Sequence, residues 1–124
     1  MNMTPLHAIV LFAHGSRDPL WHLPMQAVAQ KISSAAPGTS VVCAYLELST
    51  PDLPAAMASL VAAGINSVSI VPLFLGVGKH AREDLPELAT ALRLQYPELE
   101  IRLRPAVGED PRLIALLADI SIEG

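Results

Sequence analysis

Cysteine is nearly absent from this sequence, which has 124 residues and a single cysteine, Cys43. One thiol can form neither an intramolecular disulfide nor a cysteine-based zinc cluster. Cys43 lies in the apolar run Val41–Leu46, where we interpret it as a small buried hydrophobic residue. A chain without disulfides suits a reducing compartment, and we therefore expect a cytoplasmic protein.

Charge is also scarce: only 16% of the residues are charged, and the formal net charge is −4. A dominant basic face is what nucleic acids and anionic membranes require, so neither is expected as a partner. No apolar run is long enough to span a membrane, and Met1–His7 lack the basic segment of a secretory leader. The 52% hydrophobic content predicts one compact domain over residues 1–124, and so few charges favour a dimer.

Apolar runs that predict strands alternate with stretches of helical periodicity. The predicted strands cover about residues 8–13, 40–46, 68–74 and 100–104. The helices between and after them are expected near 24–36, 50–64, 84–97 and 111–120. This alternation predicts an α/β fold with a four-stranded parallel sheet and helices on both faces. The common flavodoxin-like order 2-1-3-4 would place strands one and three side by side.

Prolines and capping residues predict where individual elements begin and end. Thr50 is a candidate N-cap with Pro51 at the first helical position, and Asp84 is another with Pro86 in the first turn. Pro72 predicts a bulge or the end of the third strand, because proline cannot donate to a sheet ladder. Four apolar residues of the last helix are expected to be buried: Leu113, Ile114, Leu117 and Ile120.

Two predicted strands end in polar loops, and each loop contains one histidine. His14 follows the first strand and His80 the third, while Glu47 follows the second strand at the same edge. Two imidazoles and a carboxylate suit a divalent first-row metal with open coordination positions. A neutral imidazole can also accept a proton. The alternative is that each histidine only makes structural hydrogen bonds at a strand end.

The loop before His80, Gly76-Val77-Gly78-Lys79, resembles a phosphate-binding loop only superficially. It lacks the glycine spacing of both the P-loop and the dinucleotide fingerprint. A flexible loop that folds over a flat ligand is the better interpretation, and a plain turn is the alternative. His7 lies before the first strand and is expected to be unrelated to the site. Trp21 and His22 begin the first helix, where packing and pocket lining are both open.

Arg17, Lys79 and Arg82 all lie in the two histidine loops, although the chain has only eight basic residues. Cations clustered at one edge of an acidic protein would suit a ligand with several carboxylates. The alternative is a solvated loop in which these cations pair with neighbouring acids such as Asp18 and Asp84.

Taken together, four segments make the chain resemble the small CbiX-type chelatases, which insert cobalt into sirohydrochlorin. These segments are Leu11-Phe12-Ala13-His14-Gly15-Ser16-Arg17-Asp18-Pro19, Ala44-Tyr45-Leu46-Glu47-Leu48, Pro72-Leu73-Phe74-Leu75-Gly76-Val77-Gly78-Lys79-His80 and Pro105-Ala106-Val107-Gly108-Glu109. The resemblance implies a class II chelatase fold, in which such short chains pair as homodimers with the cleft between the two subunits.

The resemblance also implies roles for single residues. His14 and His80 would bind the metal, His14 would accept a proton, and Glu47 would lie nearby. Substrate contacts would fall on six consecutive residues, with Thr50 as a further candidate: Leu75, Gly76, Val77, Gly78, Lys79 and His80. Arg17 is a candidate for substrate binding on a different ground, since its cation suits the carboxylates of the ligand. Lys79 stands where many relatives have glycine.

The activity implied is insertion of Co²⁺ into sirohydrochlorin for cobalamin synthesis, with the divalent metal as a substrate and no organic cofactor. Two alternatives stay open. One is the same reaction with Fe²⁺ or Ni²⁺, because these ligands do not select one metal. The other is a metal or tetrapyrrole carrier without catalytic activity.

Overall fold

The computed structural model describes residues 6–124, which form a four-stranded parallel sheet with helices. The strands are β1 (His7–Ala13), β2 (Ser40–Tyr45), β3 (Ser67–Pro72) and β4 (Glu100–Leu103). The helices are α1 (Leu23–Ala35), α2 (Leu53–Ala62), α3 (Lys79–Gln95) and α4 (Pro111–Glu123), with 3-10 turns at Pro19–His22 and Val107–Glu109. The strand order is β2-β1-β3-β4, which confirms the predicted fold class and order.

β1 lies in the centre of the sheet and pairs with both β2 and β3. Leu11 faces Cys43 on one side and Val71 on the other. Because all the strands are parallel, the loops after β1, β2 and β3 leave the same edge of the sheet. The histidine loops therefore begin on adjacent strands.

One face of the sheet forms the hydrophobic core under α2 and α3. Alternate residues of the strands point into this core, as the two-residue repeat of a strand requires. The central members Val10 and Ile70 are fully buried, and Met57 of α2 packs against them with no exposed surface. α2 contributes Leu53 and Leu60 as predicted.

Neither α1 nor α4 contributes a residue to this core. α1 and α4 contain no buried residue. The prediction that α4 buries its apolar face is therefore wrong within this chain: Leu113 is half-buried, whereas Ile114, Leu117 and Ile120 are exposed, with 54%, 38% and 55% of their surface accessible. Helical periodicity predicted the helix correctly, but it does not specify which surface the apolar residues contact.

α2 begins two residues later than the sequence predicted. Asp52, rather than Thr50, is the N-cap, and its carboxylate accepts a hydrogen bond from the Ala55 N–H at 2.9 Å. Pro54 then occupies the first turn, where its missing N–H costs least. At the other end, Gly64 adopts a φ of +88°, which terminates the helix as expected.

α3 begins earlier than predicted, at Lys79, with Gly78 as its N-cap. The Arg82 N–H donates to the Gly78 carbonyl at 3.0 Å, so the chain is already helical before Asp84. Pro86 consequently lies inside the helix rather than in its first turn. The expectation failed because the first five residues of α3 are mostly polar and show no apolar periodicity.

Three smaller expectations concern the sheet and its flanks. β3 ends at Pro72, which agrees with the strand-end interpretation. Cys43 is half-buried, and burial raises the pKa of its thiol. The expectation about a leader falls largely on Met1–Pro5, which lie outside the described residues. In residues 6–124 no helix has the length and apolar character that crossing a bilayer requires.

Candidate metal and substrate site

The loop that contains His14 continues the pairing of β1 with β2 beyond the sheet. The Leu46 N–H donates to the Ala13 carbonyl at 2.9 Å, and the Glu47 N–H donates to the His14 carbonyl at 2.9 Å. The backbone of His14 is thus bound to the backbone of Glu47. The structure brings these two candidate residues together at the edge of the sheet.

Gly15 allows this close approach of the two loops. Its φ is +101°, and a Cβ atom at this position would lie 1.8 Å from the Glu47 carbonyl oxygen. A side chain here would therefore force the loops apart and strain the backbone. Only glycine fits between His14 and Ser16.

The His14 side chain is exposed at this edge, and its ring packs against the ring of Phe74 with the centroids 4.7 Å apart. Phe74 is buried and belongs to the segment after β3. The His14 ring therefore lies between the ends of β1 and β3, with solvent on its outer side.

Ser16 is held by a cluster of three side chains, His22, Tyr45 and Ser49, which we call the Ser16 clamp. The Ser16 N–H donates to the Ser49 hydroxyl at 3.0 Å, and that hydroxyl donates to the Ser16 carbonyl at 2.7 Å. His22 Nε2 donates to the same carbonyl at 2.8 Å. The Tyr45 hydroxyl lies 3.2 Å from His22 Nδ1. Of the two interpretations left open for His22, packing fits this arrangement better than pocket lining.

Tyr45 keeps only 6% of its surface exposed. Burial, with the Cys43 thiol beside it, raises the pKa of Tyr45 to about 12. The phenol therefore stays protonated near neutral pH and can donate to His22.

His80 is the second residue of α3, and its side chain is fully exposed. Its only recorded ion contact in the described part of the chain joins Nδ1 to the Asp84 carboxylate at 3.7 Å, one helical turn away. Together with Phe12 and Leu46, His80 lines a cavity of about 80 Å³. It therefore lies over the end of β1, on the side toward β2.

The segment before His80 is supported by Gly108. The Gly108 N–H donates to the Phe74 carbonyl at 3.0 Å, and a Cβ on Gly108 would lie 1.7 Å from the Leu75 carbonyl oxygen. Leu75, Gly76, Gly78 and Lys79 are exposed beyond this contact. The loop is thus fixed at its start and free afterwards.

The three predicted cations are exposed at the same edge. Within residues 6–124, none of Arg17, Lys79 and Arg82 forms a recorded ion pair, so the expected alternative of local acidic partners is not seen. Arg82 lines a cavity of about 170 Å³ with Phe74 and Val77. Thr50 is exposed in the loop after β2.

Across the part of the chain that the structure describes, no three histidine, cysteine or acidic side chains lie close enough to form a metal-binding group. One copy of the chain thus presents His14 and His80 at one edge without a third ligand beside them. His7 is bound to Ser67 at 2.9 Å at the opposite edge of the sheet, as expected for a residue unrelated to the site.

Two contributors to this geometry had no predicted role. Ser49 reaches Ser16 across 33 positions, and Gly108 reaches Leu75 across another 33. Gly108 lies in one of the four segments on which the family resemblance rests, and that was its only signal in the sequence. Ser49 had none.

The CbiX family model matches residues 8–123 of the chain. A curated relative from Methanococcus aeolicus, named sirohydrochlorin cobaltochelatase, is 26% identical over 138 aligned residues that cover 92% of this chain and 96% of that protein. The crystal structure of a protein from Marinobacter aquaeolei, named for CbiX and cobalamin biosynthesis, is 32% identical with a TM-score of 0.80. It covers 94% of this chain and 95% of that one.

A longer chain shares the fold. The sirohydrochlorin chelatase SirB from Bacillus subtilis subspecies spizizenii, in complex with cobalt, has a TM-score of 0.77 and 23% identity. The match covers 94% of this chain but only 50% of SirB. One copy of the present chain therefore corresponds to half of that protein.

Proposed function

The chain belongs to the CbiX family, and from this membership we propose that it is a sirohydrochlorin cobaltochelatase, which inserts Co²⁺ into sirohydrochlorin during cobalamin biosynthesis. The family match over residues 8–123, together with two histidines that follow adjacent strands at one edge, is the observation on which the proposal depends. The metal ion is a substrate of this reaction, and no organic cofactor takes part.

His14 and His80 bind the incoming ion in this proposal, and His14 also accepts a proton. Metal insertion into a free-base tetrapyrrole removes two pyrrole N–H protons while ring nitrogens replace the previous ligands of the ion. A neutral imidazole at the site suits both tasks. Glu47 is the second proton acceptor, and the bond from its backbone N–H to the His14 carbonyl supports this role because it keeps the two residues adjacent at the edge of the sheet.

The tetrapyrrole binds against the segment Leu75–His80 and the loop residue Thr50. Sirohydrochlorin has eight carboxylates, and the exposed cations Arg17, Lys79 and Arg82 are suited to orient them. None of the three forms a recorded ion pair within residues 6–124, so their charges are available to a ligand there. The first turn of α3, with its unpaired backbone N–H groups, favours a carboxylate at the same place.

The active form is a homodimer with the cleft between its subunits. Two observations support this assembly: the apolar residues of α4 are exposed, and the chain matches only half of SirB. A second copy would cover such apolar surface. Replacing Leu117 and Ile120 together with glutamate should give a folded monomer by light scattering, with Leu116→Glu as a further test of the helix.

The half-buried thiol of Cys43 suits a cytoplasmic location.

An anaerobic absorbance assay tests the activity directly. The chain is mixed with excess sirohydrochlorin and Co²⁺, Ni²⁺ or Fe²⁺ in parallel, and the spectrum of the metallated ring is followed. We expect many turnovers per chain, with Co²⁺ the fastest. A stop near one equivalent would indicate a carrier, and a faster reaction with Fe²⁺ or Ni²⁺ would contradict the assignment to cobalt.

A further inference from the structure

We propose that the Ser16 clamp, formed by His22, Tyr45 and Ser49, is a positioning unit that fixes the backbone on which His14 is mounted. This inference rests on the proposed function of His14. The clamp makes three hydrogen bonds to one peptide segment, two to the Ser16 carbonyl and one to its N–H. Its members come from three separate parts of the chain, the 3-10 turn Pro19–His22, the end of β2 and the loop after β2.

The hydrogen bonds determine which nitrogen of His22 has the proton. A carbonyl can only accept, so the Nε2 atom, 2.8 Å from the Ser16 oxygen, must be the donor. In the neutral ring Nδ1 then has a free lone pair, which the Tyr45 hydroxyl at 3.2 Å can fill. Both ring nitrogens are therefore occupied by protein groups. His22 is thus committed to contacts within the clamp, although it lies near the site.

The position of Ser16 determines the position of His14 because each link between them is constrained. The Ala13 and His14 carbonyls accept bonds from Leu46 and Glu47, and Gly15 has no space for a side chain. Ser16 is the next residue, and the clamp holds its N–H and its carbonyl. The chain is therefore fixed on both sides of His14.

The His14 side chain is exposed, so the position of its ring depends mainly on the backbone that carries it. Its ring is exposed and touches one aromatic ring, that of Phe74. Metal–ligand distances tolerate only about 0.2 Å, and a displacement of about 1 Å at a reacting group can lower a rate about 100-fold. A loop that moved by this amount would weaken His14 without altering the residue itself.

Ser49→Ala is the sharpest test, because it removes the two hydroxyl contacts to Ser16, together with the 3.3 Å contact to His22 Nε2, and leaves the bond from His22 to the Ser16 carbonyl in place. We expect kcat for cobalt insertion to fall about tenfold while KM for sirohydrochlorin stays unchanged. Ser49→Thr, which keeps a hydroxyl, should restore most of the rate. Ser59→Ala is the matched control, because Ser59 is exposed on α2 and should leave kcat unchanged. Equal rates for wild type and Ser49→Ala, per folded molecule, would overturn the proposal.

A second comparison separates positioning from general stability. In a His14→Ala background, Ser49→Ala should cause no further loss of residual activity, since the residue being positioned is gone. The same fractional loss in both backgrounds would mean that the clamp acts elsewhere, and would refute the inference.

One readout does not depend on turnover. The NMR contact between the His14 and Phe74 rings should weaken in Ser49→Ala and persist in Ser59→Ala. If the wild-type chain metallates no tetrapyrrole, the proposed function fails, yet this contact still decides whether the clamp orders His14. A contact of unchanged strength in Ser49→Ala would refute the clamp on its own.

Discussion

His14 and His80 follow adjacent strands of one sheet, yet the loops that contain them are held by different contacts. The His14 loop is bonded to the β2 loop at successive residues, and the Ser16 clamp holds its far side. The His80 loop is fixed at Phe74 and Leu75, whereas the histidine itself is fully exposed with one ion contact at 3.7 Å. We expect His14 to be a ligand ordered in advance and His80 to adjust when metal and tetrapyrrole arrive.

The two loops share one kind of contact, in which a glycine packs closely against the backbone of another loop. Each is braced by a glycine against the backbone of the neighbouring loop: Gly15 against Glu47, and Gly108 against Leu75. A missing side chain permits backbone contact that any other residue would prevent. The loops therefore differ in their side-chain contacts. The His14 loop has the hydrogen bonds of the Ser16 clamp in addition to its glycine contact.

The largest effect is expected from removing the two histidines, which compares the loops directly. His14→Ala should lower kcat/KM for cobalt insertion by about 10² to 10⁴, because it removes a metal ligand and a proton acceptor together. His80→Ala should lower it by about 10- to 100-fold, the scale of weakened metal binding. The anaerobic insertion assay measures both.

His7→Ala is the control for these variants, because His7 lies at the opposite edge of the sheet and should leave turnover near wild type. A greater loss in His80→Ala than in His14→Ala would reverse the comparison between the loops. Full activity in both variants would remove the site assignment.

The next effect concerns the two bracing glycines and is measured as the free energy of unfolding in urea. Gly15→Ala should cost about 2–4 kcal/mol, because the new methyl group would clash with the Glu47 carbonyl at a φ of +101°. Gly108→Ala should cost about 1–3 kcal/mol, since the new methyl group would clash with the Leu75 carbonyl but Gly108 has no positive φ to add backbone strain.

Gly38→Ala provides the reference, because a Cβ on Gly38 would meet nothing within 4 Å. It should change stability by less than about 1 kcal/mol. A larger loss for Gly108→Ala than for Gly15→Ala would show that the His80 loop is the more rigid of the two.

A smaller effect on activity is expected from removing the ion contact between His80 and Asp84. Asp84→Asn should change kcat/KM by about twofold or less, because an exposed pair at 3.7 Å contributes little in water. Glu87→Gln, on an exposed side of the same helix, controls for the loss of one negative charge. A tenfold loss confined to Asp84→Asn would show that His80 is held as firmly as His14.

The sequence allowed the sheet to be predicted because its signal is local. Runs such as Ala8–Ala13 end in polar residues, and the strand order follows from a common topology. The beginning of α3 could not be predicted in this way. Its first turn has polar residues such as Lys79 and Arg82, so apolar periodicity starts only at Leu85, and Pro86 gave a false first-turn signal.

The site residues also differ in whether they have a local signal in the sequence. His14 and His80 were predictable because each lies in the polar loop that follows an apolar run, His14 directly and His80 after Gly76–Lys79. The clamp and the Gly108 brace were not, since each joins residues 33 positions apart and depends on how the loops meet in space. The exposed apolar face of α4 shows the same limit, because periodicity identifies such a face without identifying its partner.

The smallest effect should appear on acidification, at the start of α4 beside the Gly108 brace. Hydrogen bonds from Arg112 hold the pKa of Asp110 at about 2, below its ordinary value of 3.8. Because the folded state lowers this pKa, the Asp110–Arg112 pair stabilises the chain above about pH 4 and loses that contribution as the pH falls toward 2. The Asp110 side chain keeps 33% of its surface exposed and that of Arg112 keeps 89%, so water screens the pair and the loss should be small.

Amide exchange can show which loop responds. The Gly108 N–H bonds to Phe74 next to this pair, whereas the Glu47 N–H bonds to His14 without any contact to it. Protection of the Gly108 amide should fall between pH 4 and pH 2 relative to that of Glu47, and Asp110→Asn should abolish the difference. An equal fall in protection at both amides would mean that acid destabilises the two loops together. The His14 and His80 loops would then not differ in their stability toward acid.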